Sequence, residues 1–153
     1  MRHGARLGLD VGTVRVGVAK CDPSGLLATP VETIQRSIGD AAVVARVLAL
    51  VEEYDAIECV VGLPISMRGT DTASTLDARN VAELIANHVP TRLVDERLST
   101  VSATSALRAS GRSSKSGRSV IDQAAAVVIL QHAIESERSR GTAPGVLLET
   151  EED

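Results

Sequence analysis

Aromatic side chains are almost missing from this chain: they make up 1% of it, with no Phe, no Trp and one Tyr, Tyr54. A core built without rings must consist of Leu, Val, Ile and Ala. With 44% apolar residues among 153, the chain is long enough for one domain with a real core. The same lack excludes a nucleic-acid surface that stacks bases on Phe or Trp. Positive charge is not in excess either. The formal charge is -4, so no global basic field attracts a polyanion, which leaves only a local basic patch. Cysteine is scarce. Cys21 and Cys59 lack metal-ligand spacing, lie in or beside apolar strand patterns and read as buried reduced thiols; an inter-chain disulfide is open to Cys21 if it is exposed. His3, His88 and His132 form no metal motif. No apolar run approaches the roughly twenty residues of a membrane span, and the N-terminus has no signal-peptide core. The expectation is a soluble, cytoplasmic protein with no membrane partner.

What is present is organised around Arg6 to Ala19. Leu7, Leu9 and Val11 alternate with Gly8, Asp10 and Gly12, and Val14, Val16 and Val18 alternate with Arg15, Gly17 and Ala19. Period-two alternation predicts two strands, with a hairpin turn at Gly12-Thr13. Each strand has an apolar face and a face of small residues that lets a helix, a backbone or a ligand approach. Asp10 is the one carboxylate on that small face. It has two readings: a turn residue that satisfies backbone N–H groups near Gly12, or a rigidly held cation ligand.

Downstream, Asp22 to Gly25 is a turn, and Leu26 to Ile34 predicts an edge strand made irregular by Pro30. Asp40 is a reasonable N-cap for a helix with Val44, Val47, Leu48 and Val51 on its inner face. Ala56 to Leu63 reads as a strand buried on both faces, and Gly62-Leu-Pro64 ends it in a loop at the edge where α/β proteins place ligands. Thr72 to His88 is a second helix, with Val81, Leu84 and Ile85 inward. Thr91 to Asp95 is a strand, and Ser99 or Thr100 caps a third helix with Ala103, Ala106 and Leu107. Arg108 to Arg118 is Ser/Gly-rich, carries Arg108, Arg112, Lys115 and Arg118, and reads as a mobile cationic loop. Ser119 starts a last helix, apolar nearly all round from Ala124 to Leu130 and hence buried. Residues 1–137 form the domain; 138–153 read as a polar, loose tail. The pattern predicts an α/β fold: a three-strand meander, then alternating strands and helices, giving a mixed five-stranded sheet with helices on both faces.

Three acids fall at comparable places: Asp10, Glu96 (or Asp95) and Asp122. Two divalent ions about 4 Å apart, held by a few carboxylates, suit phosphodiester cleavage. Each acid has a plainer reading. Ser119-x-x-Asp122 resembles a capping box, and a helix-start Asp gains from the dipole. Asp95 and Glu96, on opposite faces by alternation, can pair with Arg97. The cationic loop can be a solvated linker or a set of phosphate contacts.

Four motifs in order carry a resemblance: Asp10-Val-Gly-Thr-Val-Arg-Val-Gly-Val-Ala19, Gly62-Leu-Pro64, Asp95-Glu-Arg-Leu-Ser-Thr100 and Asp122-Gln-Ala-Ala-Ala126. Together they resemble the YqgF/RuvX family over about residues 6 to 136. The resemblance implies an RNase H-like fold related to Holliday-junction resolvases. It implies a nuclease that processes the 5′ end of precursor 16S ribosomal RNA with Mg2+ or Mn2+, two ions being expected. Asp10, Glu96 and Asp122 would be the catalytic and metal-binding acids. Arg15 and Arg97 would position the phosphate backbone or the acids, and Arg112, Lys115 and Arg118 would add nucleic-acid contacts. The segment before Asp122 departs from the family in being diluted by serine. Alternatives are a junction resolvase acting on four-way DNA, which needs a homodimer where the processing enzyme could be a monomer, and a non-catalytic nucleic-acid or ribosome-binding module. Asp-x-Gly-Thr before a hairpin also resembles the phosphate loop of sugar kinases, actin and heat-shock chaperones. Those proteins enclose ATP between two such domains and lack the Asp-Glu-Arg motif.

Overall fold

The structure is a computed structural model that describes residues 1–64, 71–95 and 115–149, with 115–122 described by their backbone. The elements run β1 (Ala5–Val11), β2 (Arg15–Cys21), β3 (Ala28–Gln35), a 3-10 turn (Arg36–Ile38), α1 (Asp40–Tyr54), β4 (Ala56–Leu63), α2 (Ala73–Ala86), β5 (Thr91–Asp95), α3 (Lys115–Arg140) and β6 (Val146–Leu147). The six strands lie in the order β3-β2-β1-β4-β5-β6. β1, β4 and β5 are mutually parallel, while β2, β3 and β6 join antiparallel to their neighbours.

Alternation in β1 sorts the layers. Leu7, Leu9 and Val11 join Val16, Val18, Cys59, Val61, Leu63 and Leu93 in a core closed by α1 and α2. The other face belongs to α3, whose Ala126, Ile129, Leu130, Ala133 and Ile134 pack on Ala19, Cys21, Ala28 and Val60. Gly8 is small because α3 lies directly on it: a Cβ there would stand 2.6 Å from Leu130 Cβ and 3.0 Å from the Ala126 carbonyl oxygen. The mixed sheet with helices on both faces is therefore as expected.

Several details differ. The sheet has a sixth strand. α3 runs on to Arg140, Gly141 (φ 73) turns the chain, and Val146–Leu147 pairs with β5. A two-residue strand shows no period, so the polar stretch from 138 read as a loose tail; Leu148 nonetheless donates to the Thr91 carbonyl at 2.9 Å and packs on the core. α3 begins by Lys115 rather than at Ser119. Serine and glycine lowered the local helix propensity, and tertiary context overrides propensity. In α1 the helix starts after Gly39, with Asp40 inside it, and the buried residues are Val43, Val44, Val47 and Leu50. In α2, Leu84 is exposed, while Ala78, Ala82 and Ile85 face inward. Val14 belongs to the hairpin turn and is exposed, as are Leu26 and Leu27 before β3. The irregularity at Pro30 is a register shift opposite Val18 and Ala19, on an edge strand. The helix expected from Ser99 or Thr100 lies outside the described residues.

Both cysteines are buried and reduced. Burial pushes the Cys59 thiol up to about 12, and it raises that of Cys21 as well. Cys21 accepts the Arg6 backbone N–H at 3.3 Å and is 2% exposed, which removes it from any inter-chain disulfide.

The far end of the α3-covered face holds a charge network. Arg6 of β1 and Glu58 of β4 are register partners, and Arg92 of β5 bonds Glu58 at 2.9 Å. Arg2 spans Glu58 and Glu137 of α3, at 2.7 Å to each, and Arg6 reaches Glu137 at 3.1 Å. Arg6 also donates to the carbonyls of Gly4 and Arg2. Arg2, by its side-chain bonds first, holds the Glu137 carboxyl down to about 2.

Candidate active site at the sheet edge

Asp10 lies near the C-terminal end of β1, two residues past Gly8 and hence on the same face, the one under α3. The register carries this level across the meander: Asp10 pairs with Gly17, and Gly17 pairs with Thr33. Thr33 Oγ1 accepts from Gln123 Nε2 at 3.0 Å, which ties the row to α3 at the residue after Asp122. Farther down, Gln131 Oε1 accepts the Ala28 N–H at 2.8 Å. From 123 to 131, α3 therefore runs from Thr33 to Ala28, opposite to β3. Both β1 and β3 are antiparallel to β2, so α3 is antiparallel to β1 as well. Its N-terminal half lies at the Asp10 end. The backbone at Asp122 is one helical turn before Ala126, the residue that meets Gly8.

The helix start also bears on Asp122. Because α3 is already helical at Lys115, Ser119 and Asp122 stand within the helix, and a capping box at Ser119-x-x-Asp122 does not account for the acid.

Arg15 opens β2 opposite Gln35, and alternation from Gly17 puts it on the face of Asp10. Across the parallel strands the edge continues one residue past the row Leu9–Val61–Leu93, to Gly62 and its register partner Val94. Val94 packs against the α3 cluster, so it shares Asp10's face. Asp95 pairs with Leu63, a residue of the α1/α2 core, and alternation turns it to that side. Position 95 is thus not on the face of Asp10. Glu96, Arg97 and Arg112 lie outside the described residues, and Lys115, Arg118 and Asp122 are placed by the backbone of α3. Gly62-Leu-Pro64, the C-terminal end of β4 and the residue after it, is tied to α2, where Thr75 Oγ1 donates to the Pro64 carbonyl at 2.6 Å beside the Thr72–Thr75 capping box.

One residue at this edge has no strong sequence signal. Arg36 Nη1 donates to the Gly12 carbonyl at 3.0 Å, and its guanidinium forks onto Asp77 of α2 and reaches Asp40 of α1 at 3.0 Å. Asp77, and after it Asp40, raises the pKa of that guanidinium. The only local signal for Arg36 is its i, i+4 spacing to Asp40; Asp77, forty-one positions away, has none.

Carboxylate oxygens suit hard divalent cations, so the chemistry of Asp10, Glu96 and Asp122 fits Mg2+ or Mn2+. Among the described residues no three His, Cys, Asp or Glu come together as a metal cluster. Of the three acids, only Asp10 has a described side chain. No helix among the described residues is long and apolar enough to cross a membrane.

Comparison with known proteins bears on the family and the fold. A relative from Clavibacter michiganensis, named "Putative pre-16S rRNA nuclease", is 56% identical over 150 residues, covering 97% of this chain and 93% of the relative. Relatives of the same name from Leifsonia xyli and Streptomyces avermitilis are 56% and 55% identical, each over 95% of this chain and 94% of the relative. Among solved structures, Thermus thermophilus RuvC in complex with a Holliday junction substrate superposes with a TM-score of 0.61 at 17% identity, covering 95% of this chain and 100% of that one. A likeness at that identity speaks for the fold, which is RNase H-like. Residues 4–136 match the family model described as "RuvX: Holliday junction resolvase", and with that match and relatives above half identity the chain belongs to the RuvX family.

Proposed function

We propose that this protein is a metal-dependent nuclease that cleaves precursor 16S ribosomal RNA in 5′-end processing, with Asp10, Glu96 and Asp122 as its metal-binding acids. The observation that carries the reading is the row Asp10–Gly17–Thr33, bonded through Gln123 to the N-terminal half of α3. It brings Asp10 and the backbone of Asp122 to the same end of the same face. The relatives' names supply the substrate class. Strand alternation supports Glu96 over Asp95 as the third acid, since a strand prolonged past Val94 returns to Asp10's face at position 96.

In this reading Asp10 holds a divalent ion from a rigid strand, and Arg15, on the same face, orients a phosphate. Such ions supply Lewis-acid stabilisation of phosphate charge and a lowered pKa for water. Lys115 and Arg118 on α3, with Arg97 and Arg112, contact phosphates along the strand. With a formal charge of -4, binding rests on this local patch.

The test compares wild type with Asp10→Asn for Mn2+-dependent cleavage of labelled precursor ribosomal RNA, with a four-way DNA junction in parallel. Wild type should cut the RNA and the variant should not. Full activity in Asp10→Asn refutes the site. Preference for the junction moves the protein to resolution, and absence of cleavage by wild type makes it a binding module.

A further inference from the structure

We propose that Arg36 is a positioning residue that fixes the span between Asp10 and Arg15 by clamping the turn that joins them. The inference rests on the nuclease reading above, and concerns a residue that never touches the substrate face.

The turn is three residues long, Gly12 to Val14, between β1 and β2. It is closed within itself by one bond, Gly12 N–H to the Arg15 carbonyl at 2.8 Å. That closeness demands glycine, since a Cβ on Gly12 would stand 2.9 Å from the Arg15 carbonyl oxygen. Residue 36 holds two of the turn's three carbonyls. Its backbone N–H donates to Val14 at 2.8 Å, and its guanidinium donates to Gly12 at 3.0 Å. The carbonyls on both sides of Thr13 are thus fixed by one residue.

The clamp is itself anchored. Nη1 and Nη2 fork onto both oxygens of Asp77, and Nη2 also reaches Asp40. The Arg36 side chain is 11% exposed, so its bonds to Gly12 and Asp77 are partly shielded from competing water, while the one to Asp40 is exposed. A lone hairpin turn at a sheet edge is among the looser parts of a fold. Here it is bound to α1 and α2, the layer opposite α3. The clamp therefore leaves the Asp10 face open.

Asp10 and Arg15 stand on that face on either side of the turn, so the turn's backbone, together with the β1–β2 ladder it closes, sets their separation. A displacement of about 1 Å in a catalytic constellation can cost about a hundredfold in rate. An ion on Asp10 and a phosphate on Arg15 must meet at one distance, so the turn is where such an error would arise.

Lysine keeps the charge but cannot fork onto a carboxylate and donate to a carbonyl at once. Arg36→Lys and Asp77→Asn attack the clamp from its two ends. Each should lower kcat about tenfold or more while KM for the RNA stays within about twofold. Each should weaken Mn2+ binding by calorimetry several-fold, and speed amide exchange at Gly12. The double variant should be little worse than Arg36→Lys alone, because both changes cut one chain of bonds. Wild-type kcat and Mn2+ affinity in a folded Asp77→Asn or Arg36→Lys overturn the proposal, as does an equal rise in KM with kcat unchanged. If Arg36→Lys fails to fold, Asp77→Asn decides alone. Wild type that neither binds Mn2+ nor cleaves RNA sinks the nuclease reading and this inference with it; wild type that does both isolates the clamp as the part that failed.

Discussion

The face of the sheet beneath α3 carries ionisable groups at both ends, and treats them in opposite ways. At the end where the parallel strands begin, Arg2, Arg6 and Arg92 meet Glu58 and Glu137, and each carboxylate is bonded by two arginines. Glu58, Glu137 and Arg6 are at most 2% exposed. Charges matched this closely have nothing left to offer a ligand, and their role is to seat α3 and the N-terminal residues on the sheet. At the other end, Asp10 on β1 has Gly8 beside it and Gly17 of β2 opposite it, under the N-terminal half of the same helix. On the proposed reading, the contrast separates charge that seats a helix from charge that serves chemistry. Both ends depend on α3, which Glu137 fixes at one end and Gln123 at the other.

The sharpest break between the two ends comes from removing one acid from each. Asp10→Asn should cost roughly a thousandfold or more in Mn2+-dependent cleavage, about 4 kcal/mol of transition-state stabilisation, and leave the urea midpoint close to wild type. Glu137→Ala should do the reverse. It strands Arg6, which is 1% exposed, and should cost about 3 kcal/mol of stability by urea unfolding, since an unpaired buried charge is expensive. A Glu137→Ala variant as stable as wild type would mean that apolar packing and the glutamine bonds to β3 hold α3 without the ion pairs.

Acid refines the same point. The folded Glu137 pKa, about 2, lies below its ordinary 4.5, so the group adds stability above about 4.5. That contribution is lost as pH falls from about 4.5 toward 2, and amounts to at most about 3 kcal/mol. Glu137→Gln should flatten this part of the stability profile and leave the neutral-to-basic limb unchanged. A wild-type slope in the variant would assign acid lability elsewhere, for instance to Glu32, whose carboxyl is also lowered by Arg46.

The two ends were unequally legible in the sequence. Asp10 was visible because it interrupts a run of small residues at period two, and β1, β4 and β5 were legible because apolar strands announce themselves over five to eight residues. The charge network was not. Arg2 lies 56 positions from Glu58 and 135 from Glu137, and each resembles an ordinary surface charge. The available signal was Glu58 inside the apolar run Ile57 to Val61, where an unpaired carboxylate would be costly. Leu84 was misplaced because a helical wheel gives a stripe without saying how wide the contact is; α2 buries Ala78 and Ala82 instead. The parity of Asp95 could not be read without knowing that Val94 packs under α3.

The smallest expected effect tests whether α3 couples the ends. Gly8 lies between them on β1, and its missing Cβ is what lets the helix sit down. In Gly8→Ala the new methyl group meets Leu130 Cβ at 2.6 Å and the Ala126 carbonyl oxygen at 3.0 Å, and neither is the far end of a flexible side chain. The helix must lift or tilt. Overpacking of this kind costs about 1–3 kcal/mol. If α3 moves as one rigid rod, lifting it at Ala126 also carries Asp122 away from Asp10, and cleavage should fall more than the loss of stability alone would explain. The check is cleavage at a temperature where the variant is still fully folded by circular dichroism. A loss of activity there means that the close contact at Gly8 sets the distance between the acids. Wild-type activity in the folded variant means that the Thr33–Gln123 bond keeps the N-terminal half of α3 in place without the close contact at Gly8.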